Sequence, residues 1–363
     1  MTKRKMATIR KIAEIKAIPE ADLICAYRVD GWWVVEVVGK YEVDDLVIYA
    51  EPDSWIPTEM APFLSKGKDP RVYNGIKGEK LKTVRLKKQI SQGLLFPVSV
   101  LDFDSFYRTE IKVMQATPGI QANVDVSEIL NIQKYEAPIP AELAGQAAGN
   151  FPRFIPKTDQ ERCQNLYEDI FIKNANAYYE ISTKLDGTSF TAFYVDKEEG
   201  VCSRNWELKL DGDNENNTMV RMFIDSGLQS VFRQLNRNLA VQGELMGPGI
   251  QANREQLKSP TMFVFDIYDI DNACYLTPEF RRAVMEELWL FGVNKDMVKH
   301  VPIVAYSANL YDTLGITTID QLLKFAEGPS LVHPVREGLV FKRIDGGFSF
   351  KAISNAFLLK EKD

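Results

Sequence analysis

Through the first hundred residues apolar and polar positions alternate in short runs, and only in the second half of the chain does the apolar period stretch to that of a helix. Ala7–Ile12, Leu23–Val29, Trp32–Val38 and Val47–Ala50 each read as a strand, and Asp30-Gly31 between the second and third is a hairpin turn signal. Residues 82–86 and 93–97 look extended as well. About five short strands with irregular connections predict a small antiparallel barrel of the OB type, with a generic β-sandwich as the alternative. Trp32, Trp33, Trp55 and Tyr73 are expected to pack in its core; a stacking platform for bases is the less favoured reading.

From about residue 115 to 160 proline and glycine interrupt the pattern at Ala116-Thr117-Pro118-Gly119, Glu136–Pro140 and Ala147–Pro152, as at a domain boundary. Pro156–Arg162 then reads as a helix start capped by Thr158 or Asp159. Further on, Asn217–Leu235 reads as one helix, with Val220, Phe223, Ile224, Leu228, Val231, Phe232 and Leu235 recurring on a face. Thr277 and Pro278 open a second helix that runs to about Phe291, and Thr318–Ala326 form a third. Leu239–Leu245, Met262–Tyr268 and Gly338–Arg343 read as strands. The expected fold is α+β: an OB-like β-barrel over 1–132, a linker and lead-in over 133–160, and a mixed domain over 161–363.

Net charge is −6, which argues against a nucleic-acid partner until its distribution is considered. Residues 1–132 carry +1 and the remainder −7, and Lys80–Lys88 holds five cations and no acid. Such a run is usually a solvated strand edge; here it is also the best candidate for tracking phosphates, through Lys82, Arg85 and Lys87. No run is long enough to span a membrane and no signal segment follows Met1, so a cytoplasmic protein is expected; a monomer is the expected assembly. Cys25, Cys163, Cys202 and Cys274 form no Cys-x-x-Cys pair, which argues for reduced thiols and against zinc. His300 and His333 are the only histidines and are expected on loops or at the surface. Lysines and carboxylates must therefore carry any chemistry.

The best placed of these is Lys184, in Lys184-Leu185-Asp186-Gly187 between the apolar runs Tyr178–Thr183 and Thr188–Tyr194. A lysine held and desolvated at such a bend is expected to have a lowered pKa and to act as a nucleophile. Lys-x-Asp-Gly alone arises by chance in about one chain in fifteen, so only the downstream sequence can promote it over a solvated hairpin. Four more segments follow in order. Ser203-Arg204 ends a strand, and Gly243-Glu244-Leu245 sets a carboxylate inside an apolar strand, where it needs a partner or a ligand. Glu337-Gly338 and Lys342 bracket another strand, and Lys351 comes late; between them Phe265-Asp266 sets an aromatic beside an acid.

Taken together these segments resemble the ordered motifs of the covalent lysyl-nucleotidyltransferases, the ATP-dependent polynucleotide ligases and capping enzymes, over residues from about 180 to 355. DNA ligases and capping enzymes carry an OB domain after the last motif, whereas this chain ends twelve residues past Lys351 and has its barrel-like part in front. That layout resembles the RNA-ligase clade with an N-terminal OB domain fused to an adenylyltransferase domain, ATP-grasp-like, of antiparallel sheets and helices.

The resemblance implies Lys184 as the nucleophile that takes AMP from ATP, with Thr183, Asp186, Gly187, Arg204, Glu244, Phe265, Glu337, Lys342 and Lys351 around the nucleotide. Asp186, Glu244 and Glu337 would hold Mg²⁺ or Mn²⁺, largely through its waters. The implied substrate is RNA with 3′-hydroxyl and 5′-phosphate ends, at nicks in duplexes or hybrids. One position departs from the pattern: Ile353 stands where RNA ligases often have a second lysine, leaving Lys342, Arg343 or Lys360 as candidate substitutes. A DNA ligase, a GTP-using capping enzyme and a non-catalytic RNA-binding protein remain as alternatives.

Overall fold

A computed structural model describes residues 4–102, 122–136 and 145–359. The breaker cluster at 116–119, most of that at 136–140 and Lys360 lie outside them. The chain divides into two compact units, residues 1–138 and 139–361.

The first unit is built of short strands: β1 (Ala7–Lys11), β2 (Glu14–Ile18), β3 (Ala21–Val29), β4 (Trp32–Val37), β5 (Leu46–Ala50), β6 (Ser54–Pro57), β7 (Arg71–Tyr73), β8 (Ile76–Lys80), β9 (Val84–Leu86), β10 (Gln89–Ser91), β11 (Leu94–Pro97) and β12 (Gln133–Lys134). Strand β5 lies antiparallel between β1 and β11, β2–β3–β4 form a meander, and β12–β6–β8–β7 make a third sheet beside the β9–β10 hairpin. Among the described residues these are separate sheets rather than one closed ring. Three of the strands the alternation missed have plain reasons. Four of the five residues of β2 are exposed, so no buried face marks its period, and β7 and β10 have three residues each. Trp32 and Trp55 are core residues at 0% and 1% exposure. Trp33 is half-buried beneath Arg28, and the Tyr73 ring packs tilted against Trp55 and Tyr135.

In the second unit the strands are β13 (Ala147–Asn150), β14 (Glu161–Arg162), β15 (Tyr178–Lys184), β16 (Thr188–Val195), β17 (Glu198–Cys202), β18 (Trp206–Leu208), β19 (Leu239–Met246), β20 (Thr261–Asp269), β21 (Cys274–Tyr275), β22 (Val298–His300), β23 (Ile303–Asn309), β24 (Gly338–Arg343) and β25 (Ser349–Ile353). They form two sheets. The larger runs β13–β18–β17–β16–β19–β20–β21 with β22 beside β20, and the smaller runs β14–β25–β24–β15–β23. Helices α1 (Thr218–Asp225), α2 (Leu228–Leu235) and α3 (Pro278–Leu290) cover the larger sheet through Phe223, Phe232, Met285 and Leu288. Helix α4 (Ile319–Ala326) covers the smaller through Ile319, Leu322 and Leu323, and a short α5 (Asn355–Leu358) follows β25.

β15 belongs to one sheet and β16 to the other, so Leu185-Asp186-Gly187 carries the chain across the seam between them. Lys184 is the last residue before the crossing.

Two elements differ from the sequence reading. The single helix expected over Asn217–Leu235 is two, because Gly227 adopts φ +83° and starts α2 in a new direction. A Cβ there would sit 3.0 Å from the Gly292 carbonyl oxygen, so the break is fixed by both backbone and packing. No helix begins at Thr158 or Asp159; Glu161 and Arg162 instead pair in parallel with Phe350 and Lys351 on the edge of the smaller sheet.

The two sheets are tied by a buried charge cluster. Glu180 on β15 is 1% exposed and gives one carboxylate oxygen to Arg281 and the other to Arg282, both on α3. Arg281, fully buried, also donates from Nε to His300 Nε2 at 3.1 Å, so the imidazole carries its proton on Nδ1, 2.8 Å from the Val301 carbonyl. Burial and the Arg281 charge push the His300 pKa down to about 4. His300 is thus a half-buried neutral acceptor and not the loop or surface residue expected. Glu180→Ala should cost about 3–5 kcal/mol, because it strands the fully buried Arg281 in the interior; urea unfolding measures this, and a cost below 1 kcal/mol would mean the cluster is not a tie.

Candidate active site

The site grows out of the seam. Strand β24 runs antiparallel to β15 with Gly338 opposite Lys184, which sets the preceding residue, Glu337, beside the lysine side chain. Lys184 Nζ lies 2.6 Å from Glu337 Oε1. On the other sheet, Glu244 Oε1 accepts the backbone N–H of Gly187 at 3.0 Å, so the crossing loop is pinned from both sides. Position 187 admits only glycine: a Cβ would stand 2.5 Å from the Leu245 carbonyl oxygen. Asp186 turns the other way, to Arg254 Nη1 at 3.5 Å.

This is a crowded set of charges. Burial alone would push the Lys184 ammonium down, but Glu337, Glu244 and Asp186 together outweigh it and hold its pKa above the ordinary lysine value. That corrects the expectation of a lowered pKa: without a ligand, Lys184 is an ion-paired ammonium. Burial, with Glu337 and Asp186 adding repulsion, raises Glu244 to about 7 against the opposing pull of Lys184. Asp186 is raised too, first by burial and then by Glu337, with Arg254 and Lys184 opposing.

A cavity of about 340 Å³ opens above Lys184 and brings together most of the residues singled out in the sequence. Thr183, Lys184, Gly187, Arg204, Glu244, Phe265, Lys342 and Lys351 line it. Thr183 donates its backbone N–H to the Pro302 carbonyl at 2.9 Å, so that donor is already committed. Phe265 is half-buried beside Leu185, Phe263 and Val301, and offers a ring to the cavity.

Lys342 Nζ sits 2.6 Å from Asp266 Oδ1 and donates to the Phe265 carbonyl at 2.5 Å; burial holds its pKa below the ordinary value although Asp266 pulls the other way. Lys351 donates to Asp159 Oδ1 at 3.0 Å, and Arg204 Nη2 lies 3.9 Å from Asp159 Oδ2. Ile353 is buried on β25, and of its candidate substitutes Lys342 faces the cavity while Arg343 turns to Asp345 and Asn174. Lys82, Arg85 and Lys87 belong to the other unit, where Arg85 lies on β9 and Lys87 starts the turn to β10, all three exposed.

Asp159 and Arg254 were not among the site residues expected from the sequence. Asp159 sits in a stretch read as a helix start, and Arg254 in a loop without pattern; only the fold brings them to the site. Among the described residues no three acidic, histidine or cysteine side chains converge closely enough to ligate one metal ion directly. Asp186, Glu244 and Glu337 nonetheless supply hard oxygens and an excess of negative charge, which suits a dication that keeps most of its waters.

With this geometry the comparisons with known proteins agree. A family model described as RNA ligase matches residues 177–353, and one described as an OB-fold domain matches residues 6–98. The RNA ligase of Naegleria gruberi solved with pyrophosphate is 43% identical, covers 99% of both chains and superposes with a TM-score of 0.83. The chain belongs to the RNA ligase family. An apo mutant of the same Naegleria ligase covers 100% of both chains at 43% identity and a TM-score of 0.85. A further mutant, solved with ATP and Mn, is 43% identical over 98% of both chains with a TM-score of 0.83. A search of the curated proteins gave no match. The fold expected from the sequence, an OB-type domain followed by a mixed catalytic domain, is the one these matches describe. Among the described residues no helix of this RNA ligase is long and apolar enough to cross a membrane.

The raised Glu244 pKa has a consequence for stability. The folded state holds that proton up to about pH 7 while the unfolded chain releases it near 4.5, so metal-free stability should fall as pH climbs between those values. Glu244→Gln should flatten the fall, read as melting temperature against pH in EDTA; an unaltered profile would mean Glu244 titrates normally.

Proposed function

We propose that this RNA ligase uses ATP and Mn²⁺ or Mg²⁺ to join a 3′-hydroxyl to a 5′-phosphate at nicks in RNA-containing duplexes, through lysyl-AMP and RNA-adenylate intermediates. The observation that carries the reading is Lys184 at the seam, its ammonium against Glu337 and its neighbours lining one cavity. The Naegleria relatives solved with ATP and Mn, with AMP and Mn, and with pyrophosphate support the choice of nucleotide and metal.

Lys184 must first surrender a proton, and Glu337 Oε1 is the acceptor within reach. Its lone pair then attacks the α-phosphorus of ATP in line with the departing pyrophosphate, forming a P–N bond as the P–O bond breaks. The adenylate passes to the RNA 5′-phosphate oxygen, regenerating the amine, and attack by the 3′-hydroxyl expels AMP. A bound divalent ion supplies charge neutralisation at the α-phosphate and favours the neutral amine.

Lys351 and Lys342 would hold phosphate oxygens, each exchanging a carboxylate for them: Asp159 for Lys351, Asp266 for Lys342. Phe265 would stack on the adenine, Thr183 would meet its edge, and Glu244 with Arg204 would contact the ribose. Asp186, Glu244 and Glu337 would hold the ion through its waters. The first unit would grip the duplex, with Lys82, Arg85 and Lys87 on phosphates.

Nicked duplexes with every RNA/DNA strand combination test the substrate. Sealing should require RNA at the nick, and equal sealing of all-DNA nicks would sink the RNA assignment. Replacing Lys82, Arg85 and Lys87 together by Ala should weaken RNA binding and lower the log–log salt slope by roughly two to three; an unaltered slope returns the run to a solvated edge.

A further inference from the structure

Between β19 and β20 the loop 247–260 carries none of the motifs above, yet it reaches the site: Gln251 lines the cavity, and Arg254 meets Asp186. Arg254 sets Nη1 3.5 Å from Asp186 Oδ2 and is 20% exposed. Its Nη2 donates to the Val335 carbonyl at 3.1 Å and lies 3.2 Å from His333 Nδ1, while the guanidinium stacks 4.6 Å from the Phe357 ring of α5. The next residue, Glu255, is 5% exposed and accepts the backbone N–H groups of Val332 and His333 at 2.7 and 3.2 Å. Two consecutive side chains thus grip residues 332–335. That segment runs directly into Glu337, the partner of Lys184. Arg336 holds it from the other end, donating to the Phe325, Ala326 and Glu327 carbonyls at the end of α4.

We propose that Arg254 is a positioning residue, whose guanidinium holds the Asp186 loop and the Glu337 segment at the separation a divalent ion needs. This rests on the reading of Asp186 and Glu337 as metal-facing groups. Two effects of opposite sign meet at this side chain. As a charge, Arg254 repels a cation and competes for Asp186, so its removal would tighten metal binding. As a bracket, it orders two carboxylates that repel one another, so its removal would weaken metal binding. Geometry favours the bracket. The Asp186 contact is partly solvated, which discounts its charge, while the hydrogen bond from Nη1 still sets the direction of the carboxylate. The Val335, His333 and Phe357 contacts fix the plane of the fork, which a lysine could not reproduce.

The test is Mn²⁺ binding to the full chain in the presence of AMP, followed by loss of the free-ion EPR signal, with thermal unfolding alongside. Arg254→Ala should weaken Mn²⁺ binding by about tenfold or more, the range expected for a group that orients metal-facing carboxylates, with little change in melting temperature. Arg254→Lys keeps the charge without the fork and should recover only part of the affinity. If Arg254→Ala does not fold, Arg254→Lys decides: weakened binding supports the proposal. Binding by either folded variant as tight as wild type, or tighter, overturns it. If the wild type itself binds no Mn²⁺ with AMP, the metal reading of Asp186 and Glu337 has failed and takes this proposal with it.

Discussion

One ion pair organises the second unit: Lys184 against Glu337, at the seam where the chain leaves one sheet for the other. An ammonium in that place is tolerable only because three carboxylates surround it, and their mutual repulsion is tolerable only because of the ammonium. The same bargain repeats around the cavity. Lys342 is set against Asp266, Lys351 and Arg204 against Asp159, and Arg254 against Asp186. A polyphosphate entering here brings the negative charge those carboxylates now supply. On the proposed function, binding would proceed by exchange of partners, and the carboxylates left over are what a dication would compensate.

Keeping such charges in register requires a stiff frame. The Glu180–Arg281 pair fastens β15 to a helix that packs on the opposite sheet, so the strand ending in Lys184 is held to both layers. Gly187 allows Glu244 to close on the backbone of the crossing loop, where any side chain would collide with the Leu245 carbonyl. Lys184, Glu244 and Glu337 come from three strand ends or strand interiors and owe their convergence to sheet register rather than to a flexible loop.

Much of this was legible in the sequence. The ordered motifs name residues whose local context is distinctive: a lysine before Asp-Gly, a lone acid in an apolar strand, Glu-Gly opening another. Strands β3, β4 and β5 showed themselves through short runs of buried apolar residues, and α3 and α4 because Thr277 and Thr318 cap them. What failed to show depends on contacts between distant segments. The break at Gly227 is set by the Gly292 carbonyl, 65 residues away in sequence, and the apolar period continues through it. The state of Lys184 could not be read from burial alone, since its sign is decided by carboxylates 60 and 153 positions downstream. Asp159 and Arg254 lie in stretches with no periodicity at all.

The central claim is that this single amine, freed from Glu337, is where adenylate is carried. Incubation with ATP and Mn²⁺ followed by intact-mass measurement and peptide mapping tests it most directly. The account requires one adenylate per chain, mapped to Lys184 and missing from Lys184→Arg. No adduct on the wild type, or one mapped to any other side chain, would contradict it.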